Sequence, residues 1–218
     1  MAGIAENLQV IKARIGRRPG VTLLAVSKGQ DVERMREAIA AGQNAFGENY
    51  VQEAVQKMQQ LPALEWHLIG PLQSNKTRAA AERFDWVQTI ASEKIARRLA
   101  QSRPAHLAPL NVLIQVNVSA EASKSGVALL EARDLARAIA AMPRLRLRGL
   151  MAIPEPGAPR SRYREVKKAF DSLKDEFALD TLSMGMSDDL DVALEEGATL
   201  VRIGTAIFGP RRTQESAA

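Results

Sequence analysis

The chain has 218 residues, 46% of them hydrophobic and 25% charged, with a formal net charge of +5 and no cysteine. This composition suits a globular chain with a real core and excludes disulfides, thiolate metal ligands and a cysteine nucleophile. Basic and acidic residues interleave along the whole length and aromatics make up only 4%, so the stacking platforms and clustered basic patches of a nucleic-acid-binding protein are absent, and no nucleic-acid partner is expected.

In chain order, Ile4, Leu8, Ile11 and Ile15 form one apolar stripe interrupted by Glu6, Asn7 and Lys12. That pattern predicts an amphipathic helix over about residues 2–16 rather than the continuous apolar core of a signal peptide. No apolar run approaches membrane-spanning length, so a cytoplasmic chain with no membrane partner is expected. A first strand, 21–26, ends at Ser27-Lys28, and a helical pattern over 32–41 closes at Gly42. A short strand at 45–46 leads to Gly47-Glu48-Asn49 and a helix to about residue 60. Strands at 66–69, 86–90, 111–118, 146–151, 181–183 and 200–203 follow. Helices are predicted between them at 75–83, 93–102, 127–141, 161–177 and 188–196, the last with Ser187 read as its N-cap.

Strands alternating with helices imply a parallel sheet with right-handed crossovers. Eight such units without a linker or a shift in composition predict an α/β chain with a single (β/α)8 TIM barrel, one domain over 1–218. An open doubly wound sheet is the alternative, but the first strand lacks the glycine fingerprint of a dinucleotide-binding turn.

A (β/α)8 barrel builds its site at the C-terminal ends of its strands. Polar and glycine residues gather there: Ser27-Lys28, Gly47-Glu48-Asn49, Gly70 to Lys76, Asn117-Val118-Ser119, Met151, Ser183 to Ser187 and Arg202 to Thr205. A lysine that ends a buried strand sits where burial lowers its pKa and frees the amine for Schiff-base chemistry. Phosphate sites in this fold often use the loops after strands seven and eight, where Ser183-Met184-Gly185 and Gly204-Thr205 lie. Arg202 alternates with apolar Val201 and Ile203, which points it into the barrel with Leu200, where it needs an acceptor. His67 and His106 are the only histidines and have no partnered nucleophile or ligand cluster, so His67 reads as a satisfied strand residue. No metal ligand set is present.

The segments LLAVSK, FGENYVQE, WHLIGPLQSNK, QVNVSAEASKSG, RGLMAIP and LSMGMSDDLDVALEEGATLVRIGTAIFG span nearly the whole chain in order. Together they resemble the pyridoxal phosphate homeostasis protein family, whose fold is like the barrel domain of alanine racemase. The resemblance implies pyridoxal 5'-phosphate (PLP) as cofactor, held as a covalent aldimine on Lys28. It further implies that the phosphate rests on Ser183, Met184, Gly204 and Thr205, that Arg202 faces the pyridine nitrogen, and that Asn49, Asn75, Asn117 and Met151 line the pocket. The chain departs from the family after the lysine, where Gly29-Gln30-Asp31 replaces the common threonine, lysine and proline.

The expected function is intracellular PLP (vitamin B6) homeostasis: binding and exchanging the cofactor, with PLP-dependent apo-enzymes as partners, rather than catalytic turnover. No catalytic residue is assigned. Neither tyrosine, Tyr50 or Tyr163, matches the racemase acid–base position. The chain ends shortly after the eighth strand, so the racemase dimerisation domain is expected to be missing and the chain monomeric. A PLP-dependent racemase-like enzyme is the alternative.

Overall fold

The computed structural model describes residues 3–16, 18, 20–119 and 125–210. The N-terminal stripe forms α1 (Ile4–Ile15), with Ile4, Leu8, Ile11 and Ile15 all buried. The strands are β1 (Thr22–Val26), β2 (Ala45–Glu48), β3 (Glu65–Leu68), β4 (Trp86–Ile90), β5 (Leu110–Asn117), β6 (Val127–Ala128), β7 (Leu145–Ala152), β8 (Thr181–Ser183) and β9 (Leu200–Ile203). Between them lie α2 (Val32–Ala40), α3 (Val51–Met58), α4 (Thr77–Arg83), α5 (Glu93–Ser102), α6 (Ala132–Ala140), α7 (Arg160–Phe177) and α8 (Leu190–Glu195), with α9 (Thr205–Phe208) after the last strand. Asp31 starts α2 by accepting the Arg34 N–H at 2.9 Å, as an N-cap should.

All strand pairs are parallel, in the order β4-β3-β2-β1-β9-β8-β7-β5, and β4 also pairs with β5. That last pairing closes the sheet into an eight-stranded barrel and removes the two exposed edges an open doubly wound sheet would leave. Two cores follow from the alternation of side chains along each strand. Phe46, Leu68, Val87, Val112, Ile114, Val201 and Ile203 point outward, into the main apolar cluster between barrel and helices. Leu24, Ile69 and Leu200 form a small inner cluster, and Trp86, Leu113 and Met151 another.

Two elements differ from the sequence expectation. The helix predicted over 127–141 begins only at Ala132; Val127–Ala128 instead pairs with Val116–Asn117 of β5. β4 pairs with β5 only as far as Ile114, while β7 accompanies it to Val116, so β6 takes the backbone positions that β4 leaves open. The other is α8, which begins at Leu190, so Asp189 and not Ser187 holds the N-cap position. Among the described residues no helix is long and apolar enough to cross a membrane.

Gly149 marks the bulge where β7 shifts register against β5. It has φ +157°, and a Cβ there would lie 1.7 Å from the Thr181 carbonyl oxygen. Backbone cannot yield as a flexible side chain does, so Gly149→Ala is expected to cost about 3 kcal/mol or more. At roughly 2–4 °C per kcal/mol for a chain of this size, the thermal midpoint should fall by about 6–12 °C. A midpoint within about 2 °C of wild type would contradict the assigned close contact.

Candidate functional site

A cavity of about 530 Å³ opens at the C-terminal ends of the strands. Of the residues nominated from sequence, Lys28, Asn49, Arg202, Gly204 and Thr205 line it, with Val26, Ile69, Ile153 and Met186 as apolar wall. Asn117 lines an adjoining cavity of about 300 Å³, which shares Asn49, Ile69 and Ile153 with the first. The other nominees stand outside both cavities. Ser183 and Met184 are fully buried at the end of β8, Met151 packs on Trp86 and Leu113 inside the barrel, and Asn75 is exposed in the short 3-10 turn at Ser74–Lys76.

Lys28 is held in place through the residues on either side of it. The Ser27 carbonyl accepts from Lys57 Nζ at 2.7 Å, and the Gly29 N–H donates to Glu53 Oε1 at 2.6 Å. Lys57 and Glu53 sit one helical turn apart on α3 and bond each other at 2.7 Å. Lys57 also reaches Glu48 Oε1, which accepts the Ser27 hydroxyl proton as well. Glu48 is completely buried, and its second oxygen has no partner. Burial pushes its carboxyl above the ordinary range, only partly offset by the Lys57 ammonium and the Ser27 hydroxyl. Glu48 drew attention in the sequence as an acid at a strand end. Lys57 and Glu53 gave no signal beyond ordinary helical spacing.

Asn49 owes its position to a glycine. A Cβ on Gly70 would lie 2.2 Å from the Asn49 carbonyl oxygen and 2.6 Å from its Cα. Only glycine at the end of β3 lets the β2 loop fold across toward the cavity.

Arg202 is 3% exposed and forms no ion pair among the described residues. Nη1 donates to Ser183 Oγ at 2.6 Å and Nη2 to the Ala152 carbonyl at 2.9 Å, both neutral acceptors. Burial lowers its pKa to about 10, with the charge of Asp189 acting weakly the other way, so the guanidinium stays protonated at neutral pH. The loop after β8 wraps this arginine: the Arg202 N–H donates to the Gly185 carbonyl and the Met184 N–H to that of Leu200. Asp189 pins the loop from the far side, accepting the Met186 N–H and the Tyr163 hydroxyl, the latter at 2.6 Å. Burial raises the Tyr163 pKa, and that hydroxyl is committed to structure.

A cavity bordered by an amine, an unpaired buried cation and glycine-bearing loops is chemically suited to a small anion that also carries an electrophilic carbon. Comparison with known proteins agrees in kind. The family model of the alanine racemase N-terminal domain matches residues 1–212. The pyridoxal phosphate homeostasis protein of Escherichia coli K12 is 53% identical, covering 97% of this chain and 95% of its own. That of Pseudomonas aeruginosa is 54% identical, covering 97% of each. PipY of Synechococcus elongatus PCC7942, solved with PLP bound, has a TM-score of 0.84 at 36% identity, covering 94% of this chain and 100% of PipY. Alanine racemase from Corynebacterium glutamicum shares the fold, with a TM-score of 0.75 at 21% identity over 99% of this chain and 62% of the racemase.

The platform under Lys28 makes a direct prediction. Lys57→Met leaves the Glu48 carboxylate buried without a counter-charge and should destabilise the chain by about 3–5 kcal/mol. The double variant Glu48→Gln/Lys57→Met should recover at least half of that loss. Denaturant midpoints measure both, and a single-variant loss below about 1 kcal/mol would mean that the buried network does not hold the loop.

Proposed function

The chain belongs to the pyridoxal phosphate homeostasis protein family, built on the alanine racemase N-terminal domain fold, and on that premise we propose that it binds PLP through Lys28 and exchanges it without turning over an amino acid. The observation that carries this reading is the sharing of one cavity by Lys28 and an Arg202 with no counter-ion among the described residues. An amine supplies the nucleophile for an aldehyde, and a buried guanidinium asks for an acceptor.

In this reading the Lys28 amine attacks the aldehyde carbon of PLP and releases water, leaving a Schiff base that free amines can displace. The platform of Lys57, Glu48 and Glu53 orients Lys28 by fixing Ser27 and Gly29. The phosphate lies against Gly204 and Thr205, while Ser183 and Met184, buried outside the cavity, support the loop behind it. Arg202 offers an N–H to the pyridine nitrogen. Asn49 and Asn117 border the open side, and Met151 supports the floor from within the barrel. Asn75 borders neither cavity and takes no part.

The chemistry also supports binding over turnover. PLP supplies an electron sink for carbanions when its pyridine nitrogen is protonated, and a guanidinium donating to that nitrogen opposes its protonation. Nor does a tyrosine border the cavity among the described residues. Tyr50 is exposed and Tyr163 is held by Asp189. We accordingly place the chain in the cytoplasm as a carrier that exchanges PLP with apo-enzymes.

The test is a visible-absorbance titration with PLP. Wild type should take up the cofactor with a Schiff-base band, and Lys28→Ala should lose the band and bind at least about tenfold more weakly. Optical rotation of L-alanine should stay constant over hours with the PLP-loaded protein. A band retained in Lys28→Ala would remove Lys28 from the site, and enzymatic racemisation would replace the carrier reading.

A further inference from the structure

Arg202 is the inner end of a hydrogen-bond chain that crosses the barrel to its opposite face. Arg202 Nη1 donates to Ser183 Oγ at 2.6 Å, and the Ser183 hydroxyl donates to Gln88 Oε1 at 2.7 Å. Gln88 Nε2 stands 2.9 Å from His67 Nδ1, and His67 Nε2 stands 2.7 Å from Glu65 Oε1. Ser183, Gln88 and His67 are completely buried. Only Glu65, with a side chain 42% exposed, reaches solvent. Glu65 and the ring of His67 both border a cavity of about 310 Å³ at the N-terminal ends of the strands, with Arg148 and Asp180. The links come from four different strands, β9, β8, β4 and β3, and all of them face the barrel interior.

The polarity of this chain follows from what each group is able to donate. A guanidinium has donors only, so Ser183 Oγ must accept from Arg202. The serine proton is then free to go on to the Gln88 carbonyl oxygen, which turns the Gln88 amide nitrogen toward His67. His67 Nδ1 has to accept, so its proton resides on Nε2 and is donated to Glu65. An Nδ1–H tautomer, or an imidazolium, would set a donor against the Gln88 amide. Flipping that amide would place its N–H against Ser183 Oγ, stranding the serine proton without its acceptor. A stranded buried donor costs roughly tenfold or more in the equilibrium.

We propose that Gln88 and His67 are positioning residues for Arg202, which through a hydrogen-bond chain of fixed polarity hold its guanidinium at the PLP cavity with His67 locked as the neutral Nε2–H tautomer. The proposal deepens the PLP reading and rests on it for the role of Arg202, but the state of the chain itself does not require the cofactor. The surroundings of His67 agree. Its ring stacks on Trp86 with centroids 5.0 Å apart, and burial lowers its pKa against the opposing pull of Glu65 and Asp85. The His67 hydrogen bond, with a smaller pull from Arg148 over the Trp86 ring, favours the ionised form of Glu65. Neither Gln88 nor His67 touches the cavity that Lys28 lines.

The experiment uses the full chain with 15N-labelled histidine and arginine, first without PLP. At neutral pH, long-range 1H–15N spectra should show His67 with a bare Nδ1 and a protonated Nε2. The Arg202 side-chain N–H should exchange with solvent at least about tenfold faster in Gln88→Leu. His67→Asn keeps an acceptor where Nδ1 stands and should preserve the Arg202 protection, whereas His67→Leu should lose it. With PLP added, Gln88→Leu should bind roughly tenfold more weakly and shift the pH midpoint of the bound absorption band, a readout that simple loss of stability would not move. A protonated Nδ1 on His67, or Arg202 protection unchanged in a folded Gln88→Leu, overturns the proposal whether or not PLP binds. Failure of wild type to take up PLP, with the apo spectra as expected, overturns the PLP reading instead.

Discussion

A guanidinium buried inside a parallel barrel, with no carboxylate beside it, has to be satisfied by neutral groups or by something that enters from outside. Arg202 meets this constraint on one side only. Ser183 and the Ala152 carbonyl take its terminal N–H groups, and the remainder of its charge faces the cavity that Lys28 lines. Removing a cation from water costs several kcal/mol even after relaxation, so the protein holds this group at a cost that a bound acceptor would offset. Much of the upper barrel follows from that arrangement. The β8 loop is stitched to β9 around the arginine, Asp189 and Tyr163 pin the loop from outside, and Gly185 accepts a Cβ-free approach to Ala193 with φ +97°.

Lys28 answers a different requirement. An amine that condenses with an aldehyde needs a fixed direction of approach, and its own long side chain supplies none. Direction comes from the backbone on either side, bonded to Lys57 and Glu53 of α3, the helix of the next unit. The Lys57 charge is in turn balanced by a buried Glu48, so the platform is an ion network that tolerates little rearrangement. A loop held from both sides of Lys28 and a fixed cation on the neighbouring strand β9 suit a cofactor that must be held firmly and still leave.

The barrel was legible because its strands are short, apolar and regularly spaced, and because alternation in Leu200 to Ile203 already turned Arg202 inward. Lys28 and the glycine loops could be read from their positions at strand ends. What could not be read depends on register between strands. β6 exists only because β4 leaves β5 unpaired beyond Ile114. Ser183 stood in the expected phosphate loop, but its hydroxyl turns into the barrel, since Ser183 shares the inward face with Arg202. His67 was correctly taken as a satisfied strand residue, while its partner Gln88 lies on the neighbouring strand, out of reach of any local pattern. Asn75 and Met151 were noted at strand ends, but their pocket-lining role came from motif likeness alone. The structure sets the first on the surface and the second beneath the site.

Lys28, among all lysines of the chain, is the residue proposed to carry the cofactor. Borohydride reduction of the PLP-loaded protein followed by peptide mass mapping addresses it directly. The expected result is a single pyridoxyl adduct on the peptide containing Lys28. An adduct on another lysine, or reduction that leaves bound PLP unattached, would contradict it.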